Sequence, residues 1–136
     1  SCKIQPSKQK GTTIFNECNA FANENSGCRV AMNNTQQPTR GRQLNKKGGY
    51  VGMVRDFTQG GKGIRMWMWD DKNVPGDVKK PQDSVNPDAW GEPVVNLGLT
   101  QCADQFTDHM IVFTITLCGD WAADTVCGRR RSLRSV

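Results

Sequence analysis

From Ile111 to Leu117 every second residue is large and apolar (Ile111, Phe113, Ile115, Leu117), and Val112, Thr114 and Thr116 between them are all β-branched. Period two with β-branched enrichment predicts a strand with one buried face over 110–117. Candidate strands at Tyr50 to Phe57, opened by Gly48-Gly49, and at Ile64 to Trp69 flank the glycine-rich segment Gln59-Gly60-Gly61-Lys62-Gly63, so residues 49–70 are expected to form a hairpin. A short strand is expected at Val94 to Leu97. Residues 1–48 are polar and show no sustained helical period, which predicts loops held by disulfides, with room for a short strand. Between Asp70 and Pro93 the prolines Pro75, Pro81, Pro87 and Pro93 mark a long surface connection, and long ordered connections often carry function. With no long helix and no repeat, the expected class is all-β, an antiparallel β-sandwich.

The chain has 136 residues, enough for one modest core. One sandwich domain over 1–128 with a basic tail over 129–136 is the expected organisation. Cys2, Cys18, Cys28, Cys102, Cys118 and Cys127 make six cysteines, and Asn33-Asn34-Thr35 is an acceptor sequence for N-glycosylation at Asn33. Both predict a mature secreted protein of the extracellular space or cell wall. No cysteine spacing is that of a zinc site, and His109 is the single histidine. No cofactor is expected; calcium held by loop oxygens at the sandwich edge stays open. Gly60-Gly61-Lys62-Gly63 lacks the spacing of a phosphate-binding loop.

The net charge is +5, with Arg129-Arg130-Arg131-Ser132-Leu133-Arg134 at the end. Such an end is a solvated terminus or a site for nucleic acid or anionic membrane. No aromatic ladder is interleaved with the basic residues as in a single-strand binder.

Several separated motifs, in order, resemble the C-terminal part of fungal endo-β-1,3(4)-glucanases of glycoside hydrolase family 16. They are Gly27-Cys28; Leu44-Asn45-x-x-Gly48-Gly49-Tyr50-Val51-Gly52-Met53; the aromatic strand Ile64-Arg65-Met66-Trp67-Met68-Trp69; Val74-Pro75-Gly76-Asp77-Val78; Asn86-Pro87-Asp88-Ala89-Trp90-Gly91-Glu92-Pro93; and Cys118-Gly119-Asp120-Trp121. The resemblance covers roughly residues 1–127 and implies a jelly roll of the concanavalin A-like lectin and glucanase type. It also implies β-glucan or an oligosaccharide as ligand, with Trp90 and Trp121 as stacking platforms and Asn45 and Asp120 as polar partners. Trp67 and Trp69, two apart on one strand face, are core or platform residues, with the core expected. From the sequence, Cys102–Cys118 across the ends of one segment, Cys18–Cys28 and Cys2–Cys127 are the expected disulfides among the fifteen pairings that six cysteines allow. His109 stands in a position that resembles a structural histidine of the family and is expected as a hydrogen-bonded histidine at the start of the 110–117 strand.

Three departures bound what the resemblance carries. Asp70-Asp71 replaces the family's Pro-Arg after the aromatic strand. Arg129–Val136 replaces its terminal segment. The catalytic Glu-x-Asp-x-x-Glu strand is missing: the only glutamates are Glu17, Glu24 and Glu92, and none has the spacing. A retaining glycosidase needs two carboxyls about 5 Å apart, and successive strand residues such as Asp70 and Asp71 point to opposite faces. No catalytic residue is therefore assigned. The expected function is a non-catalytic β-glucan-binding protein. The alternatives are the C-terminal chain of a nicked glucanase, active only with its N-terminal fragment, and a basic cytotoxic or antimicrobial protein acting on membranes or nucleic acid. A sandwich reduced in this way has uncovered edges, for which a second chain, a strand-exchanged homodimer or a rearranged smaller sandwich is the expected cover.

Overall fold

The computed structural model describes residues 2–5, 7–22, 24, 26–32, 46, 48–80 and 83–113. Among the described residues, five strands form two antiparallel sheets, joined by short helical turns. β1 (Thr12–Phe15) pairs with β2 (Arg29–Ala31), with a register irregularity between Thr13 and Phe15. β3 (Tyr50–Asp56), β4 (Gly63–Trp69) and β5 (Val95–Asn96) form the second sheet in the order β3-β4-β5. The hairpin lies where the glycine-rich turn between two candidate strands predicts it. Its register runs from Tyr50 opposite Trp69 to Asp56 opposite Gly63. Gly63 has a φ of +73°, and a Cβ there would sit 2.9 Å from the Leu99 nitrogen, so the chain turns into β4 at a position only glycine fills without strain. The predicted 94–97 strand is present as β5. The polar first part, expected as loops with room for a short strand, holds two short strands.

Hydrogen bonds from Lys10 N to Pro93 O and from Gly11 N to Val94 O bring the first sheet to the second. The core has two clusters. Cys2, Ile4, Leu99 and Cys102 form one, and Met68, Val94 and Val95 the other, with Val30 and Leu97 packed against both. Val30 is thus where β2 lies over β4 and β5.

Two expectations are corrected here. Met110–Phe113, the described part of the predicted 110–117 strand, is not a strand. Its side chains are exposed, Phe113 at 92%. Alternation gives a chain two distinct faces, but a strand also needs a neighbour for its backbone groups, and no described residue pairs with this segment. Residues 114–117 lie outside the described residues. His109 accordingly stands at no strand start; its ring meets that of Phe106 edge-on at 5.6 Å.

The second correction concerns the disulfides. Cys18 bonds Cys28 as expected, but Cys2 bonds Cys102, which replaces both Cys102–Cys118 and Cys2–Cys127. The reason is the path of the first residues. Cys18 N donates to Cys2 O and Ile4 N to Asn16 O, and Ile4 packs with Leu99, so Cys2 is carried to the 3-10 turn Thr100–Gln105. The two Cα atoms are then 5.5 Å apart. Cys118 and Cys127 lie outside the described residues.

Candidate functional site

Three of the four tryptophans meet on one face of the second sheet. Trp67 and Trp69, two apart on β4, project to the same side, with ring planes 8° apart and centroids 6.4 Å apart. Both are buried, Trp67 to 1% exposure, as their shared strand face predicts. Trp90, half-buried, stands across them: its plane is 88° from that of Trp67 and 90° from that of Trp69, with centroids 5.1 and 5.5 Å away. Edge-to-face contact of this kind sets the positive rim of one ring against the negative face of another. Gly52, opposite Trp67 in the register, makes the room. A Cβ there would lie 2.9 Å from the Trp69 ring and 3.3 Å from that of Trp90.

The indole N–H groups of Trp67 and Trp90 both find acceptors in the segment after β4. Trp67 Nε1 donates to Gly91 O at 2.9 Å, and Trp90 Nε1 donates to the Asp77 carboxylate at 3.0 and 3.1 Å. Asp77 belongs to the single-turn helix α1 (Gly76–Lys79), and its Oδ2 also accepts from Asn86 N at 3.0 Å. These bonds, the Asn86 backbone N–H first and the Trp90 indole second, hold the Asp77 pKa below the ordinary 3.8. A 3-10 turn at Pro87–Ala89 delivers Trp90, and its Asp88 accepts from Lys62 Nζ at 2.8 Å and Arg65 Nη1 at 2.9 Å. Lys62 first and Arg65 second lower the Asp88 pKa. Arg65 lies buried at 9% exposure, with its guanidinium 5.2 Å from the Trp67 ring centroid, in cation–π contact.

The two anions that replace the family's Pro-Arg do separate work at the end of β4. Asp70 Oδ1 accepts from the backbone of Lys72 and Asn73 and from Asn73 Nδ2, and so forms the turn. Asp71 pairs with Lys79 Nζ at 2.7 Å and accepts from the Tyr50 hydroxyl at 3.3 Å. The hydrogen bond from Lys79 is the main reason the Asp71 pKa falls, and the same contact raises that of Lys79. Both carboxylates are structural: they fasten the segment that carries Trp90.

Of the four sequence-predicted sugar contacts, the structure places Trp90 in this cluster. Asn45, Asp120 and Trp121 lie outside the described residues, as does Asn33. The sequence reading missed Asp77, Arg65 and Gly52 as parts of the site. All three stand inside the family-like motifs, which marked their positions without revealing what they touch. Among the described residues no group of three His, Cys, Asp or Glu side chains is placed to hold a metal ion.

Residues 1–133 match the family described as "XgeA-like, catalytic GH16 domain". The chain belongs to glycoside hydrolase family 16. Its relatives include a probable glycosidase of Schizosaccharomyces pombe, 34% identical over 131 residues, which are 92% of this chain and 30% of that protein. A probable endo-1,3(4)-beta-glucanase of Aspergillus niger is 28% identical over 123 residues, 90% of this chain and 15% of that protein. Laminarinase 16A from Phanerochaete chrysosporium, solved with beta-glucans in its donor and acceptor sites, shares the fold at a TM-score of 0.60 and 24% identity, over 73% of this chain and 34% of that one. The chain thus spans less than a third of the length of either curated relative. The family 16 fold here is an antiparallel all-β jelly roll in truncated form.

Proposed function

We propose that this chain binds β-1,3(4)-glucan through the Trp90 face and supplies no catalytic carboxylate. One observation carries the reading: an upright, half-buried indole braced on a tryptophan floor, in a chain of a family whose solved member holds beta-glucans. Aromatic faces stack on the apolar faces of sugar rings, and the N–H groups of Trp67 and Trp90 are already satisfied within the fold. The missing Glu-x-Asp-x-x-Glu motif supports the second half of the proposal. A second reading is favoured by the coverage: the chain is the C-terminal part of a glucanase whose two carboxyls lie in the two thirds of the relatives' length that it does not span. In either case we place it outside the cell, as one sandwich unit over 1–128 with a basic tail over 129–136 and a glycan on Asn33.

Laminarin oligosaccharides titrated calorimetrically into the 136-residue chain, with a reducing-sugar assay on the same sample, test this. Binding that persists as salt is raised, is lost in Trp90→Ala, and is accompanied by no new reducing ends is the expected result. Release of reducing ends by the chain alone overturns the absence of catalysis. Affinity for anionic lipid or nucleic acid that falls steeply with salt, without glucan affinity, overturns the ligand class and returns the basic residues to the leading role.

A further inference from the structure

The two separated motifs Val74-Pro75-Gly76-Asp77-Val78 and Asn86–Pro93 meet at one side chain. Asp77 takes the Trp90 indole N–H with both carboxylate oxygens and the Asn86 backbone N–H with Oδ2. Asn86 is the residue just before the 3-10 turn that delivers Trp90. The indole is therefore held at two places: its Zeta3 carbon lies over Gly52 on β3, and its Nε1 is held by α1. One residue further on, Gly91 O receives the Trp67 indole N–H, which fastens the segment to the sheet.

We infer that Asp77 is the positioning residue of the glucan-contacting surface: it fixes the Trp90 ring upright on the Trp67–Trp69 floor before any sugar arrives. This rests on the glucan-binding reading above. The chemistry of the position calls for a carboxylate. An ionised carboxylate is acceptor-only and can serve both donors, whereas an amide in the same place turns an N–H toward one of them. A ring that is not held must be ordered by the ligand, and immobilising one side chain on binding weakens affinity roughly 3- to 10-fold.

The test uses the full 136-residue chain with laminarin oligosaccharides, and the variants Asp77→Asn, Trp90→Phe, their double variant and Trp90→Ala. Asp77→Asn is expected to move the Trp90 indole N–H resonance while the Trp67 and Trp69 resonances stay in place, and to weaken glucan binding roughly 3- to 10-fold. Trp90→Phe, which keeps a ring but removes the donor, is expected to lose a similar factor. The double variant is expected to lose no more than Trp90→Phe alone, because both remove one interaction. Unchanged affinity in Asp77→Asn with a shifted Trp90 signal overturns the inference, and so do additive losses in the double variant. If Asp77→Asn does not fold, Trp90→Phe decides: native affinity in that variant overturns the inference. Native affinity in Trp90→Ala removes the glucan reading itself, and the positioning role with it. That outcome is distinct from a loss in Trp90→Ala without one in Asp77→Asn, which removes the positioning role alone.

Discussion

On one face of the β3–β4 hairpin, Trp67 and Trp69 are buried and Gly52 lies against the Trp69 ring; on the other, Val51 and Met53 of β3 stand 58% and 53% exposed, directly opposite Met68 and Met66. The tryptophan face is closed by the segment that follows β4 in the chain. Trp90 comes down onto it, Gly91 O takes the Trp67 indole N–H, and Asp77 takes that of Trp90. The other face depends on a second layer. Val30 supplies that layer over Met68, Val94 and Val95, and the cover does not extend to Val51 and Met53. A face closed by its own continuation is complete within a short stretch of sequence. A face closed by another sheet is only as complete as that sheet.

The contrast is broken most forcefully at Trp67. Trp67→Ala is expected to destabilise the protein by about 3–5 kcal/mol in urea denaturation, whereas Val51→Ala or Met53→Ala costs at most about 1 kcal/mol, since their side chains are half in water. Equal losses on the two faces would show that Val51 and Met53 are covered in solution. Gly52→Val sharpens the comparison on a smaller scale. Its side chain would enter the Trp69 and Trp90 rings, at an expected cost of about 1–3 kcal/mol, and tryptophan fluorescence should change with the unfolding midpoint.

The smallest expected effect is that of acid. Asp71, Asp77 and Asp88 around the tryptophan face, and Asp56 at the far end of β3 through the Thr58 hydroxyl, all have pKa values lowered from 3.8. A group whose folded pKa is depressed adds stability that is fully present above its unfolded value and is lost as pH falls through the folded one. The urea midpoint should thus hold near neutrality and decline below about pH 4. Asp77→Asn and Asp88→Asn should each flatten that decline, and a midpoint that rises on acidification would contradict the carboxylate contacts described here.

The hairpin was legible because a glycine-rich turn separates two largely apolar runs. β5 was legible as a short apolar run after the prolines, and Trp67 and Trp69 were placed on one face by their spacing of two. The 110–113 segment misled because its alternation stands there without a neighbour among the described residues. Cys2–Cys102 could not be read from spacing: its two ends are brought together by Ile4 and Leu99, a contact between residues with no local signal. Trp90 was found as an aromatic in a proline-rich loop. Asp77, which holds it, looked like any turn aspartate until the hydrogen bonds from Trp90 and Asn86 placed it.

The Cys2–Cys102 bridge closes a covalent ring that contains both sheets, with Val74–Pro93 as part of its circumference. A single peptide-bond cut anywhere between those cysteines opens the ring without dividing the molecule. A protease that clips the exposed stretch around Asp83–Asn86 would leave two polypeptides travelling as one mass until a thiol reductant separates them. The strand hairpin and the Trp90 segment can therefore lose their peptide connection and stay tethered through sulfur.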